Sequence, residues 1–345
     1  MRRLLPGLAV TTLLLAGSGW LLLGVPAVQD WLLGRMLSVV MTQSPVTHAD
    51  GLRIFMCGTS SPLPAPGRAQ ACVAVMAGDD LFLVDAGAGS ANTFNLAGED
   101  SSNLRAILLT HFHSDHIAAI PDFNLNSWVG GRSRPLELIG PAGVERIAEG
   151  LNEAYALDRG YRVAHHGEVL LPPALGELSA REIGPGVFWN AGGLTITAFP
   201  VDHSPVSPAV GYRFDYQGRS VVISGDSNVT PTLIAAAKGA DLVLHDALSL
   251  SIVQTMAKTA AAAGRTRQAK ILGDIQSYHA SAESLERIID EAAPITGRLS
   301  PRTCARNFLM ARFFTRALPA GTVMTTDGMV FWLPAGETSI DVHNP

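Results

Sequence analysis

Four side chains that can bind a cation crowd into LTHFHSDHIAAIPD, residues 109–122, where His111, His113, Asp115 and His116 fall within six positions. Imidazole and carboxylate both offer a lone pair near neutral pH. In a chain with 10 histidines and 30 acidic residues, an H-x-H-x-acid-H run arises by chance in on the order of one sequence in a thousand. In an extended segment His111 and His113 project to the same side, so both rings can reach one metal ion. Asp115 and His116 open the next helix and turn away, which suits a second ion beside the first. Imidazole and carboxylate without thiolate favour zinc, with manganese and iron as alternatives.

Six residues do not complete such a site, so further ligands must come from other strand ends. His203 follows LTITAFPVD, and Asp226 follows RSVVISG in the phrase SGDSN. Taken alone, His203 reads as a structural histidine and Asp226 as a turn residue. Their shared position at strand exits reverses that reading, and a carboxylate there can bridge two ions about 3.5 to 4 Å apart.

The elements that must position these residues alternate between β and α patterns. Strands are predicted over 52–57, 70–77, 81–85 and 104–110, followed by a short helix over 115–120 and a longer one over 141–154. The pattern repeats with strands over 194–201, 209–216, 219–224 and 241–245, and a helix over 231–239. A helix over 281–292, a strand-like PIT, a helix near 303–318 and the paired strands GTVMTT and GMVFWLP close the chain. Two β-then-α halves predict an α/β fold of two sheets packed face to face with helices outside. Residues 158–193 carry the least pattern and read as an irregular surface excursion.

The 345 residues, 47% hydrophobic, can fill a sizeable core. A net charge of −5 argues against phosphate-driven recruitment of nucleic acid, unless a local basic patch exists. Met1-Arg2-Arg3 precedes an uncharged stretch over 4–29, long enough to span a bilayer. The expectation is a membrane anchor over 1–35 with the arginines cytoplasmic, a linker over 36–51, and a domain over 52–345 outside the cytoplasm. Cleavage after Ala27, giving a secreted domain, is the competitor. Cys57, Cys72 and Cys304 form no C-x-x-C motif. Cys57 and Cys72 could pair, but three buried small hydrophobes are the expected state.

THFHSDH, with IFMCGTSSPLP (54–64), LVDAG (83–87), IGPAG (139–143), VDHS (201–204) and SGDSN (224–228), resembles the metallo-β-lactamase superfamily, in its ribonuclease Z and arylsulfatase-like branch. The resemblance implies a four-layer αββα sandwich and two zinc ions. It implies His111, His113 and His203 on the first ion, Asp115 and His116 on the second, and Asp226 between them. It further implies a late histidine, here His279, that assists the leaving group and is oriented by an acid, here Asp246 where the family usually has Glu. His279 reads equally well as the entry to the helix over 281–292, with Ser281 as N-cap. The family's last histidine ligand is missing from PITGRLSPR, where Gly297 or Arg298 stands instead. Neither binds zinc. One zinc held firmly and a second weak or absent is therefore expected, with Arg298 free to neutralise Asp115 or to grip an anionic substrate.

The resulting expectation is a zinc-dependent hydrolase of a phosphodiester, sulfate ester or lactone, with Asp115, His279 and Asp246 as catalytic groups. The expected partners are a small anionic or cyclic ester and the membrane, with nucleic acid unfavoured and a homodimer left open. A degenerate, non-catalytic binding protein at the cell envelope is the alternative. Asp85 is expected to orient metal-site histidines by accepting a ring N–H. His245 is expected to be buried and bonded to backbone, and His165 and His166 to face solvent.

Overall fold

The computed structural model describes residues 23–41, 50–61, 65–292, 318–320 and 322–345. The chain divides into two compact units, Met1–Thr47 and His48–Pro345. The first contains α1 (Pro26–Met41), which runs across the boundary expected at residue 35. Its 16 residues make a rod of about 24 Å, shorter than the ~30 Å core of a bilayer. Among the described residues no helix is long and apolar enough to cross a membrane. Most of the uncharged stretch over 4–29 lies outside the described residues.

The second unit opens with β1 (Gly51–Gly58), β2 (Cys72–Ala77), β3 (Asp80–Val84), α2 (Ser90–Leu96) and β4 (Leu104–Leu108). A short α3 (Ser114–Ile117) leads to α4 (Ile120–Val129), β5 (Leu136–Gly140), α5 (Val144–Ala154) and α6 (Ala156–His166). Strands β6 (Leu178–Glu182), β7 (Gly186–Ala191), β8 (Leu194–Pro200), β9 (Val210–Tyr216) and β10 (Arg219–Ile223) follow. After α7 (Pro231–Ala237) and β11 (Leu242–Leu244) come α8 (Leu250–Ala262), α9 (Thr266–Asp274) and α10 (Glu286–Ala292). The described chain ends on β12 (Val330–Pro334) and β13 (Asp341–His343).

One sheet has the order β13-β12-β1-β2-β3-β4-β5-β6, and the other β11-β10-β9-β8-β7. Alternation along β1 shows how the layers form. Leu52, Ile54 and Met56 join the core between the sheets, facing Ile196, Phe214 and Val221, while Phe55 and Cys57 point the other way onto Phe94, Ile120 and Phe123. A period of two on a strand covered on both faces makes it apolar at nearly every position, with Arg53, paired to Glu99, as the exception on β1. On the far side of the second sheet, Phe199, Val222 and Val243 pack against Leu233, Ile234, Leu285 and Ile288. The layers therefore run α, β, β, α, as expected.

Two expectations are corrected. The segment 158–193 is largely regular: α6, β6 and β7 occupy it. Its strands are short and partly exposed, LSARE and GVFWNA, so they lack the apolar run that marks a buried strand. Cys57 and Cys72 form a disulfide across the β1–β2 pair, with Cα atoms 5.1 Å apart, and are not free thiols. Pairing on adjacent strands already brings their Cα atoms within bridging range.

Candidate metal centre

The cluster begins where β4 leaves its sheet. The Leu109 N–H donates to Ile139 of β5 at 2.8 Å, and the Thr110 carbonyl accepts from Val210 of β9 at 3.0 Å. The buried Tyr212 hydroxyl also donates to the Leu109 carbonyl at 2.7 Å. The end of β4 is thus held by both sheets, and His111 emerges from a fixed point. Gly225 allows the neighbouring turn: its φ is +65°, and a Cβ there would lie 2.8 Å from the Thr110 side chain. Only glycine satisfies both conditions.

Three imidazoles converge. His111 Nε2 lies 2.9 Å from His113 Nδ1, and His203 Nε2 lies 3.4 Å from the same His113 nitrogen. Their partners decide which nitrogens carry protons. His203 Nδ1–H donates to the Tyr278 carbonyl at 3.0 Å, which can only accept, so Nε2 keeps its lone pair. The Thr110 hydroxyl donates to Asp85 at 2.9 Å, so it accepts from His111 Nδ1–H at 3.0 Å. His111 Nε2 is then bare. His116 Nδ1–H donates to Asp85 at 2.7 Å, leaving its Nε2 towards Asp226 at 3.3 Å and Asp115 at 3.5 Å.

Burial keeps the His111 and His113 rings neutral. His111 is completely buried, and burial, followed by the neighbouring His116, pushes its pKa far below the ordinary 6.5. Burial and the nearby His203 also lower that of His113. Ring nitrogens gathered this closely, with protonation of His111 and His113 opposed by burial, are the donor set of a divalent cation site. His111, His113 and His203 form one group able to hold an ion, and His111, His116 and Asp226 form another.

A second pair lines the rim. His279 Nδ1–H donates to Asp246 at 2.8 Å, and the carboxylate also accepts from the Ser227 N–H at 3.0 Å. Burial pushes the Asp246 carboxyl upward, but hydrogen bonds from His245 and His279 outweigh it and hold the acid below the usual carboxylate range. The rings of His279 and His203 are 5.2 Å apart. Asp226, Asp246 and His279 form a third group with ligand atoms close together.

The structure therefore gathers His111, His113, Asp115, His116, His203, Asp226, Asp246 and His279. Gly297 and Arg298 lie outside the described residues. Asp85 accepts the His116 N–H as expected, and the buried His245 donates to the Asp246 carbonyl at 2.6 Å. His165 and His166 are exposed at the end of α6. Sequence reasoning missed Thr110, Tyr278 and Asn228. Asn228 ties three loops together, donating to Asp202 at 3.2 Å and to the Ser277 carbonyl at 3.0 Å. Thr110 and Asn228 adjoin the quoted motifs, but a neighbouring hydroxyl or amide carries no spacing signal.

A profile described as Beta-lactamase superfamily domain matches residues 81–295. A ribonuclease Z of Mycobacterium bovis is 40% identical over 205 residues, covering 59% of this chain and 72% of that protein. Among solved structures, the metallo-beta-lactamase fold protein YhfI from Bacillus subtilis superposes with a TM-score of 0.59 at 19% identity, over 82% of this chain and 100% of that one. Human tRNase Z, short form, gives 0.56 at 17%, over 81% and 98%.

These relatives correct two expectations. A small ester as substrate, with nucleic acid unfavoured and a membrane as partner, conflicts with relatives named as ribonucleases at this identity. The reasoning failed because a net charge averages over the molecule and is blind to a local patch. The exported, membrane-anchored location, read from the uncharged stretch over 4–29, is likewise withdrawn: the relatives are named as ribonucleases Z, and among the described residues no helix is long and apolar enough to cross a membrane. With a profile spanning well over half of the chain and a mycobacterial relative sharing two residues in five, the chain belongs to the metallo-β-lactamase superfamily of hydrolases, in its ribonuclease Z branch.

Proposed function

We propose that this chain is a zinc-dependent phosphodiesterase whose substrate is RNA. The convergence of the His111, His113 and His203 ring nitrogens carries the reading, together with the ribonuclease Z relatives. His111, His113 and His203 would hold the first zinc, Asp115 and His116 the weaker second position, and Asp226 would lie between them. When bound, zinc lowers the pKa of water toward about 7 and offsets negative charge on the attacked phosphate. The residues of the chain supply the rest. Asp85 and Thr110 fix the tautomers of His116 and His111, so no imidazole must reorganise. Asp246 orients His279 through Nδ1–H and offsets the charge of its imidazolium form, whose Nε2–H would pass to the departing alkoxide oxygen. Asp246 is shorter than the Glu common in the branch, yet its 2.8 Å contact to His279 supports the same orienting role.

The test is cleavage of a transfer-RNA transcript by the purified chain before and after chelation, and by His113→Ala. The reading expects activity to vanish on chelation, return with zinc, and fall in the variant by more than the about 10–100-fold cost of losing an outer-shell partner. Undiminished cleavage by His113→Ala would overturn it.

A further inference from the structure

Between Asp246 and His279 the chain leaves the domain and returns as a helical hairpin, α8 and α9. Both roots sit on the rim of the metal centre. The Leu248 N–H donates to Ala280 at 2.7 Å, the Ala282 N–H donates to Leu248 at 3.1 Å, and the Ala280 N–H donates to Ser227 at 3.0 Å. Beyond that clasp the helices pack on each other. Val253 is the sole fully buried residue of α8, and α9 has none. So little buried surface contributes little to the core. The turn is well defined, however. Gly264 has φ +71°, its N–H donates to Ala261 at 3.0 Å, and the Arg265 N–H donates to Ala260 at 2.8 Å. That pair of bonds is a Schellman cap, which fixes the direction in which α9 departs.

The charge on this hairpin is set apart from the rest of the molecule. Residues 249–279 carry Lys258, Arg265, Arg267 and Lys270 against one acid, Asp274, a net of +3 in a chain of net −5. All four cations are exposed. Among the described residues Lys270 alone of the four forms an ion pair, with Asp274 at 2.8 Å, and such a surface pair yields readily to a phosphate. Three of the cations lie within six residues at the distal turn. The 13 residues of α8 place that turn about 20 Å from the rim, the reach of on the order of six nucleotides along one strand.

We propose that the α8–α9 hairpin is a backbone grip for RNA, in which Arg265, Arg267 and Lys270 hold phosphates of the strand whose scissile bond lies at the His279 rim. The proposal rests on RNA being the substrate. A cationic arm rooted at the metal centre supplies the local basic patch that the net charge conceals. It contacts phosphates and not base edges, so it positions the strand without reading its sequence.

The test compares the full chain with its R265E/R267E/K270E variant. Binding of a labelled transfer-RNA transcript is measured across a salt series, and kcat/KM is measured for the transcript and for a small chromogenic phosphodiester. The variant is expected to lose about 2 to 3 units from the slope of log affinity against log salt. Its ratio of RNA to small-diester kcat/KM is expected to fall at least about tenfold, while R265K/R267K, which keeps the charge, tracks the wild type. Should the triple variant fail to fold, R265Q and R267Q carry the same test at about one slope unit each. An unchanged slope and an unchanged ratio would overturn the grip and leave the RNA reading intact. A wild-type chain that turns over the small diester but neither binds nor cleaves the transcript would overturn both.

Discussion

Asp85 adopts φ 61° while fully buried, a left-handed conformation that is strained for a residue other than glycine. Strain of this kind persists only where surrounding contacts enforce it. Here those contacts are the Thr110 N–H at 2.9 Å, the Thr110 hydroxyl and the His116 ring N–H. One carboxylate thereby sets the tautomers of two histidines. Asp85→Asn tests this role cleanly, because asparagine tolerates the same backbone but cannot accept all three bonds. Zinc affinity is expected to fall about 10–100-fold with the fold retained, as measured by competition with a chromophoric chelator. Unchanged affinity would show that the ring orientations do not depend on Asp85. The acceptor was legible in LVDAG because a buried carboxylate beside a histidine cluster has few other uses. The tautomer of His111 was not, since it depends on which way the Thr110 hydroxyl donates.

Strands carry the site, and their ends were legible for a physical reason. A strand covered on both faces reads as a continuous apolar run, so LRAILLT and RSVVIS declare where they stop and where His111 and Asp226 begin. Phe82 of β3 shows what holds the two sheets in register. It is fully buried and meets Trp189 of β7 edge-on at 5.0 Å and Phe214 of β9 at 6.3 Å. Phe82→Ala should cost about 3–5 kcal/mol, read as a shift in urea midpoint at constant slope. A loss below about 1 kcal/mol would mean that the inter-sheet core closes around the gap. The less legible elements are those without a buried face. The strands β6 and β7 lie at sheet edges, and the α8–α9 hairpin packs mainly on itself, so neither imposes a strong apolar period.

At the scale of the molecule, the distribution of charge matters more than its sum. A net of −5 argued against nucleic acid, yet the hairpin rooted beside His279 is cationic. The fold brings together ligands that are far apart in sequence: His111, His203 and Asp226 arrive from the ends of β4, β8 and β10. Such convergence can be expected from a motif but only distances can test it. The most direct measurement is a crystal structure of the zinc-loaded chain with anomalous scattering recorded at the zinc edge. The account predicts one strong peak about 2.0–2.1 Å from a nitrogen of each of His111, His113 and His203, with at most a weak second peak towards Asp115 and His116. Two peaks of equal strength would contradict the weak second position, and no peak among the three imidazoles would contradict the account itself.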